Sequence, residues 1–182
     1  MDSLIKKTLN DGIISERLKM RKLNENDECD MFEYTSNSKT CSFLQWGPHE
    51  NISETKAFIQ KTMEKYCQPN DIVWGIELLD QKKLIGVIRI YGITDNDAEV
   101  SYILNEHYTG HGYMTECVSA VIDICFGFLK RNRVIAFYTE GNEASRKVME
   151  RCNMQPCLRL DKNATIKGRT KAVHGYEIWR KQ

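Results

Sequence analysis

The sequence is poor in the features that mark several classes of protein. Its 182 residues include only three prolines and eleven glycines, and 41% are hydrophobic, which excludes collagen-like, low-complexity and disordered chains. Its most apolar stretch, residues 118–129, contains Asp123 and is too short to span a membrane. The length fits one domain of ordinary size, so we expect residues 1–182 to form a single domain with an N-terminal extension over residues 1–14.

Paired cysteine motifs are absent although the chain has seven cysteines. The number is odd, no two cysteines form a Cys-x-x-Cys pair, and no closely spaced set of cysteines and histidines is present, so we expect neither a disulfide framework nor a metal site. Residues 1–10 contain no apolar stretch of signal-peptide length. We therefore expect reduced, mostly buried cysteines and a cytoplasmic location.

An excess of charge of either sign is also lacking, since 26 basic and 25 acidic residues give a net charge of +1. This balance argues against a general nucleic-acid-binding protein and predicts no direct nucleic-acid partner. The two parts of the chain differ, however: residues 130–182 carry a net charge of +8 and residues 1–129 a net charge of −7. The acidic part suits a cationic partner and the basic part a phosphorylated ligand, unless the charges serve only solubility.

Apolar periodicity predicts four helices and seven strands. A spacing of about 3.6 residues, with caps at Asn24 and Ser53 for the first two, indicates helices over residues 27–37, 54–66, 112–130 and 142–152. Alternating or continuous apolar runs indicate strands over residues 17–23, 72–79, 83–91, 98–104, 133–139, 155–160 and 173–180. The order predicts a mixed α/β domain without internal repeats.

The most informative segment is a strand, a loop with two glycines and a long amphipathic helix, over residues 102–116. Gly110 and Gly112 can adopt positive φ, and the helix start leaves free N–H donors at the positive end of its dipole. Such a turn can bind a pyrophosphate. Taken alone, the same pattern also describes a tight turn from a strand to a helix.

Two further segments complete a pattern known from one protein family. The run Asn142-Glu-Ala-Ser145 follows a predicted strand, and Leu84-Ile-Gly86 lies within another. Together with the segments that begin at Glu16, Trp46 and Ala98, these sequences resemble the GNAT acetyltransferase superfamily, in its RimJ/RimL branch that acetylates protein N-termini and small amines.

The resemblance implies a fold and a cosubstrate. It implies a mixed, mostly antiparallel sheet of about seven strands, splayed between the fourth and fifth by a bulge and flanked by about four helices. It also implies acetyl-CoA as cosubstrate, without a metal. The residues expected to bind it are Ile103, Leu104, Thr109, Gly110, His111, Gly112, Tyr113, Met114, Asn142 and Ser145.

The loop departs from the family pattern at three positions. Thr109 replaces a Gln or Arg, His111 a frequent Lys, and Met114 a small residue. Backbone donors do not depend on side chains, so we expect the loop to keep its cradle. We expect the reduced positive charge and the bulk of Met114 to affect affinity for the cosubstrate.

The resemblance also assigns two catalytic candidates. Glu99 would take the proton of the amine through water, and Ser145 would donate to the leaving thiolate. Many relatives use a tyrosine for the second role, but that position here is Met149. Glu99 could instead be an outward-facing strand carboxylate, and Ser145 a serine whose hydroxyl is satisfied by the first turn of its helix.

The amine acceptor is the least defined element. Tyr34, Trp46 and Tyr102 are candidate walls of its site, or residues of the core. The acceptor could be the N-terminal amine of a ribosomal protein, a polyamine or an antibiotic-type amine, and the acidic residues 1–129 favour a cationic one. A non-catalytic CoA-binding domain is the alternative of another class. We expect a monomer or homodimer and no membrane partner.

Overall fold

A single mixed sheet organises the structure, a computed structural model that describes residues 12–67 and 70–181, with only the backbone at residue 67. The nine strands of the described residues are β1 (Ile13–Ile14), β2 (Leu18–Arg21), β3 (Ile72–Leu78), β4 (Leu84–Tyr91), β5 (Asp97–Leu104), β6 (Arg133–Thr139), β7 (Gln155–Pro156), β8 (Lys162–Ile166) and β9 (Arg169–Trp179). They run in the order β1-β2-β3-β4-β5-β6-β9-β7, and β8 pairs with β9. In the described residues, only β5 and β6 pair in parallel, so the predicted mostly antiparallel sheet is confirmed.

Four α-helices of the described residues cover the sheet, as predicted. They are α1 (Glu28–Thr35), α2 (Ile52–Glu64), α3 (Tyr113–Gly127) and α4 (Glu143–Arg151). A short 3-10 turn, Glu25–Asp27, precedes α1 and is capped by Asn24. The cap predicted at Ser53 is wrong, because the side chain of Asn51 accepts the N–H of Glu54 and the helix begins two residues earlier.

Helices α3 and α4 share one face of the sheet. The inward side chains of α3, including Cys117 and Val121, are fully buried against Ile88, Val100 and Ala136 of the central strands. Burial of this apolar surface is the main stabilising contribution of the helix. The cysteine prediction is confirmed for the described side chains: four of the six are buried and none forms a disulfide.

Helices α1 and α2 cover the opposite face and form a second, smaller core. It contains Met31 and Tyr34 of α1, Ile59 of α2, and Val73 and Val87 of the sheet. The sheet is therefore the shared wall of two cores, and its strand ends lie between them.

Among the described residues, no helix has the length and hydropathy to cross a membrane.

Strands β5 and β6 separate halfway along their length, and this opens the molecule. They pair only from Asp97 to Val100 of β5, whereas β5 stays paired with β4 through Leu104. The predicted splay is thus confirmed. The expected bulge is wrong for β5, since its register against β4 is unbroken from Glu99 to Leu104.

The C-terminal third of the sheet differs most from the prediction. The expected strand over residues 155–160 is a two-residue strand followed by the 3-10 turn Leu158–Leu160. Strand β8 was not predicted, and β9 begins four residues earlier than expected. The missed signal is the turn at Lys167 and Gly168, both at positive φ, which joins two strands of polar, alternating sequence.

The predicted N-terminal extension over residues 1–14 is only partly within the described residues. Residues 1–11 lie outside them. Ile13 and Ile14 pair with Met20 and Lys19 as an edge strand, so the last residues of that segment belong to the sheet.

Candidate active site

A cleft of about 680 Å³ opens where β5 and β6 separate. Its floor is the C-terminal half of β5, and the first residues of α3 and α4 form one side. The loop between α1 and α2 and the end of β6 form the other. The cleft is therefore lined by elements that belong to both faces of the sheet.

The glycine loop is shaped as predicted. Gly110 and Gly112 have φ of +83° and +82°, values that a side chain would strain. The first intrahelical bond of α3 joins the Glu116 N–H to the Gly112 carbonyl at 3.0 Å, so the N–H groups of residues 113–115 precede the helical ladder. These donors lie at the positive end of the dipole of a 15-residue helix, an arrangement that favours an anion.

Arg17 anchors this loop from the other end of the chain. Its guanidinium donates to Glu116 at 2.8 Å and to the carbonyl of His111 at 2.9 Å, and it lies 4.6 Å from the ring centre of Tyr113. Ser15 donates to the same carboxylate at 2.6 Å. Burial raises the pKa of Glu116, but the hydrogen bonds from Ser15 and Arg17 outweigh it, so the net shift is downward.

The three departures in the loop leave its backbone intact. The Thr109 hydroxyl bonds the Glu106 carbonyl at 2.8 Å, and the exposed His111 ring stacks on Tyr113 with centroids 5.5 Å apart. Met114 is 4% exposed and both packs in the core and lines the cleft. Thr109 and Met114 line the cleft and His111 does not.

The end of β5 presents backbone along the floor of the cleft. Ile103 and Leu104 pair with Val87 and Gly86 of β4 on one edge, and past Val100 β5 has no pairing with β6. At Gly86 an added Cβ would come within 2.4 Å of the Ile103 carbonyl oxygen. Only glycine therefore fits beside this strand end, whose edge toward the cleft can take an extended ligand.

Ser145 and Asn142 meet the cleft at the start of α4. The Asn142 side chain accepts the N–H of Ser145 at 3.2 Å and caps the helix as predicted. The Tyr102 hydroxyl lies 2.9 Å from Ser145 Oγ and 3.1 Å from the Ser145 carbonyl oxygen. Burial raises the pKa of Tyr102, so its phenol stays protonated at neutral pH and can donate to Ser145.

Glu99 lies two residues before the cleft floor. It shares a face of β5 with Ser101, which lines the cleft, but Glu99 itself is not a lining residue. The Tyr91 hydroxyl donates to its carboxylate. Burial and this hydrogen bond raise the pKa of Tyr91, so it also remains a donor. Contact between Glu99 and an amine in the cleft would need an intervening water.

Two of the three expected acceptor walls lie behind the cleft. Tyr34 is 1% exposed in the smaller core, and Trp46 stacks on His49 with centroids 5.1 Å apart. Both border a separate apolar cavity of about 10 Å³, which they share with Ile103. The structure brings only Tyr102 of this group to the cleft.

The residues that instead line the far end of the cleft were not predicted. Lys39, Thr40, Phe43 and Leu44 come from the loop after α1, and Phe137 comes from β6. Alternation in β6 between Val134, Ala136 and their neighbours could have marked Phe137 as facing away from the core. The loop residues carry no periodic signal. Among the described residues, no group of three or more potential metal ligands is present.

Comparison with known proteins identifies the family. The family described as Acetyltransferase (GNAT) domain matches residues 17–155. Among curated proteins, the uncharacterized N-acetyltransferase YoaA of Bacillus subtilis (strain 168) is 29% identical over 144 residues, which cover 78% of this chain and 81% of that protein. The family match over residues 17–155 includes the glycine loop, the end of β5 and the start of α4.

Two solved structures show the same fold with different acceptors in their descriptions. The ribosomal-protein-S5-alanine acetyltransferase from Vibrio fischeri has a TM-score of 0.74 and 19% identity, and covers 92% of this chain and 96% of its own. The spermidine N-acetyltransferase from Vibrio cholerae, in complex with CoA and spermine, has a TM-score of 0.74 and 20% identity, and covers 91% and 96%. The fold is therefore shared with both, and similarity alone does not distinguish their acceptors.

Proposed function

The chain belongs to the GNAT acetyltransferase family and is an acetyl-CoA-dependent N-acetyltransferase, and from this premise we propose that its acceptor is the N-terminal amine of a protein. The observation that carries the proposal is the joining of one backbone-lined end and one side-chain-lined end in a single cleft. The backbone-lined end fits a cosubstrate with phosphates and an extended arm. The side-chain-lined end fits the N-terminus of a polypeptide.

The residues of the first end fit acetyl-CoA, which supplies the acetyl thioester when bound. The free N–H groups after Gly112 would hold the pyrophosphate. The edge of β5 at Ile103 and Leu104 would hydrogen-bond the pantetheine arm as an added strand. Asn142 would hold the same arm beside the helix that it caps. None of these contacts uses the side chains that depart from the family pattern.

Ser145 is proposed as the donor to the leaving sulfur. The amine nitrogen attacks the carbonyl carbon, the C–N bond forms, the C–S bond breaks, and the proton lost by the amine balances the proton gained by the thiolate. When Tyr102 donates its one hydrogen to Ser145 Oγ and not to the Ser145 carbonyl, the serine hydroxyl hydrogen is free to point at the sulfur. Because its pKa is raised, Tyr102 is proposed to position Ser145 and not to lose its own proton.

Glu99 is proposed to receive the proton of the amine through water. It shares a face of β5 with Ser101, which lines the cleft, and Tyr91 fixes its carboxylate by a hydrogen bond. An amine must be neutral to attack, so a nearby carboxylate connected by water favours the reaction. Glutamine at this position would keep the shape and remove the base.

The lining of the cleft favours a protein N-terminus over a polyamine. A polyamine is a polycation and needs carboxylates around it. Among the described residues that line the cleft, Glu106 is the only carboxylate, and Lys39 lies 3.3 Å from it. A polyamine remains the second candidate, since a spermidine N-acetyltransferase shares the fold.

The test is acetyl transfer from acetyl-CoA to peptides with a free N-terminus and to spermidine, measured by mass spectrometry. We expect peptide acetylation in the wild type and a loss of kcat of about 100-fold in Ser145→Ala, the usual contribution of one acid-base group. Tyr102→Phe should lose about tenfold, the effect of one hydrogen bond, and Glu99→Gln should lower kcat by about 100-fold, since it removes the base.

The matched control is Ser119→Ala, which removes an exposed serine of α3 and should leave kcat unchanged. The Kd for acetyl-CoA should stay within about twofold in all these variants, because backbone groups bind it. Transfer to spermidine but to no peptide would overturn the proposed acceptor. Full kcat in Ser145→Ala would overturn the proposed role of that serine.

A further inference from the structure

A hairpin beside the acceptor end of the cleft carries positive charge only. The basic hairpin, residues 162–172, comprises β8, its turn and the start of β9, and contains three lysines and one arginine without an acidic residue. The facing loop, residues 36–46, contains Lys39 and likewise no acidic residue. Neither segment contributes a carboxylate of its own, although Lys39 pairs with Glu106 at 3.3 Å.

Two of the hairpin's lysines contact rings that line the cleft, and a third bonds the loop after α1. Lys162 Nζ lies 3.9 Å from the ring centre of Phe137 and Lys171 Nζ lies 5.3 Å from that of Phe43, and both rings line the cleft. Lys167 Nζ donates to the carbonyl of Cys41 at 2.7 Å. These contacts place the three ammonium groups beside the residues that line the cleft, although the lysines do not line it themselves.

The carboxylates closest along the chain do not neutralise these lysines. Among the described residues, neither Lys162, Lys167 nor Lys171 has a carboxylate within 4.0 Å. Asp161 is instead held by the His174 ring at 3.1 Å and by the Gly175 N–H at 2.9 Å. With Lys39 paired to Glu106, the three hairpin lysines leave this side of the cleft with an excess of positive charge, which attracts anions and repels cations.

We infer that the acceptor of the proposed reaction is a polypeptide whose N-terminal residue is followed by acidic residues. The N-terminal amine enters between Phe43 and Phe137, and the acidic side chains that follow lie on Lys162, Lys167 and Lys171. An extended chain suits ammonium groups that are spread along a hairpin better than a compact anion does. The inference rests on the proposed function and adds that the acceptor polypeptide is acidic after its first residue.

The surrounding lysines also affect the amine itself. A cationic environment disfavours a second positive charge and so favours the neutral amine that can attack the thioester. The same three residues would therefore select the substrate and help prepare its nucleophile. This second effect should appear in the pH profile and not in affinity for the peptide.

The experiment compares three peptides of equal length, in which a first Ser is followed by three Glu, three Gln or three Lys. We expect kcat/KM to be about tenfold higher for the acidic than for the neutral peptide, since each exposed ion pair contributes modestly, and lowest for the basic one. The preference should decrease at 0.5 M NaCl, because salt screens exposed charges. Binding of the same peptides, labelled at the C-terminus, is measured by fluorescence anisotropy.

The decisive variant is the triple substitution Lys162→Gln, Lys167→Gln and Lys171→Gln. It should reduce the preference for the acidic over the neutral peptide to less than twofold, both in kcat/KM and in peptide binding. It should also move the acidic limb of the pH profile to higher pH, because the amine then loses its proton less readily. The Kd for acetyl-CoA should not change. The control, Lys61→Gln with Lys65→Gln and Lys181→Gln, changes the net charge equally on other elements and should keep the preference.

Each outcome bears on a different statement. Equal turnover of the three peptides, or a preference that survives the triple substitution, would overturn the inference and leave the proposed function intact. Acetylation of phosphoethanolamine without any peptide would show that the anion belongs to a small molecule and would overturn the polypeptide acceptor. Absence of transfer to every amine would count against both.

Discussion

The two ends of the cleft are built from different parts of the chain. At the cosubstrate end, glycines, a helix start and a strand edge present backbone groups, and Arg17 and Glu116 fix them from behind. At the acceptor end, side chains from the loop after α1 and from β6 form the surface, and lysines of the basic hairpin pack on two of their rings. Backbone groups tolerate changes in the side chains around them, whereas a surface made of side chains changes with each substitution.

This difference gives a rule for where substitutions act. At the cosubstrate end, changes that move the backbone should weaken acetyl-CoA binding, and changes that only replace side chains should not. At the acceptor end, single side chains should alter the choice of amine. Three predictions address the first half of the rule, in order of decreasing effect.

The largest effect is expected for Gly112→Val. A branched side chain at a φ of +82° is strained by about 1–3 kcal/mol, so the Kd for acetyl-CoA should rise about 10- to 100-fold. Isothermal titration measures the Kd. Gly127→Ala, at the end of the same helix with open space around its Cα, is the control and should bind normally. Normal binding by the valine variant would mean that the loop is not held in this conformation.

An intermediate effect is expected for Glu116→Gln, which weakens the anchor behind the loop. Loss of charged hydrogen bonds from Ser15 and Arg17 should cost about 1–2 kcal/mol of stability and raise the Kd for acetyl-CoA about fivefold. Since the folded pKa of Glu116 is lowered, its ionised form stabilises the protein above the unfolded pKa of about 4.3. That contribution is lost as pH falls through the folded pKa.

Urea unfolding at pH 7 and at pH 3 measures this dependence. The wild type should lose more stability between the two values than Glu116→Gln does. Asp123→Asn removes an exposed carboxylate from the same helix and should keep the wild-type difference. Equal losses in the wild type and in Glu116→Gln would show that Ser15 and Arg17 do not stabilise the ionised form.

The smallest effect is expected for Thr109→Ala and His111→Ala. Both residues depart from the family pattern, and neither alters the positive φ of its neighbouring glycines. The Kd for acetyl-CoA should change less than twofold in each variant. A change of tenfold in either would remove the distinction between the two ends, because a side chain would then contribute as much as the backbone.

The same distinction explains how much could be predicted from the sequence. The positive φ of Gly110 and Gly112 and the helix cap at Asn142 were predicted correctly, because both features depend on local conformation. The splay of β5 from β6, where pairing ends at Val100, agrees with the resemblance, but β5 has no bulge there.

The acceptor end could not be predicted because its residues are far apart in sequence. Phe43 and Lys171 meet only when the hairpin folds over the loop, and no periodicity links them. Tyr34 is instead buried in the smaller core, and Trp46 stacks on His49 beside a separate small cavity. The acidic total of residues 1–129 favoured a cationic acceptor, whereas the charge at the entrance comes from residues 162–171.

The contact between Arg17 and Glu116 also bears on how the site forms. These residues are 99 positions apart, so closing the loop between them costs conformational entropy that must be offset by other contacts. Contacts of such long range are typical of slow steps in folding. The residues that anchor the glycine loop, Ser15 and Arg17, lie between β1 and β2 at the edge of the sheet. A chain that lacks these strands should therefore keep the binding motif in its sequence but lose the shape of the loop.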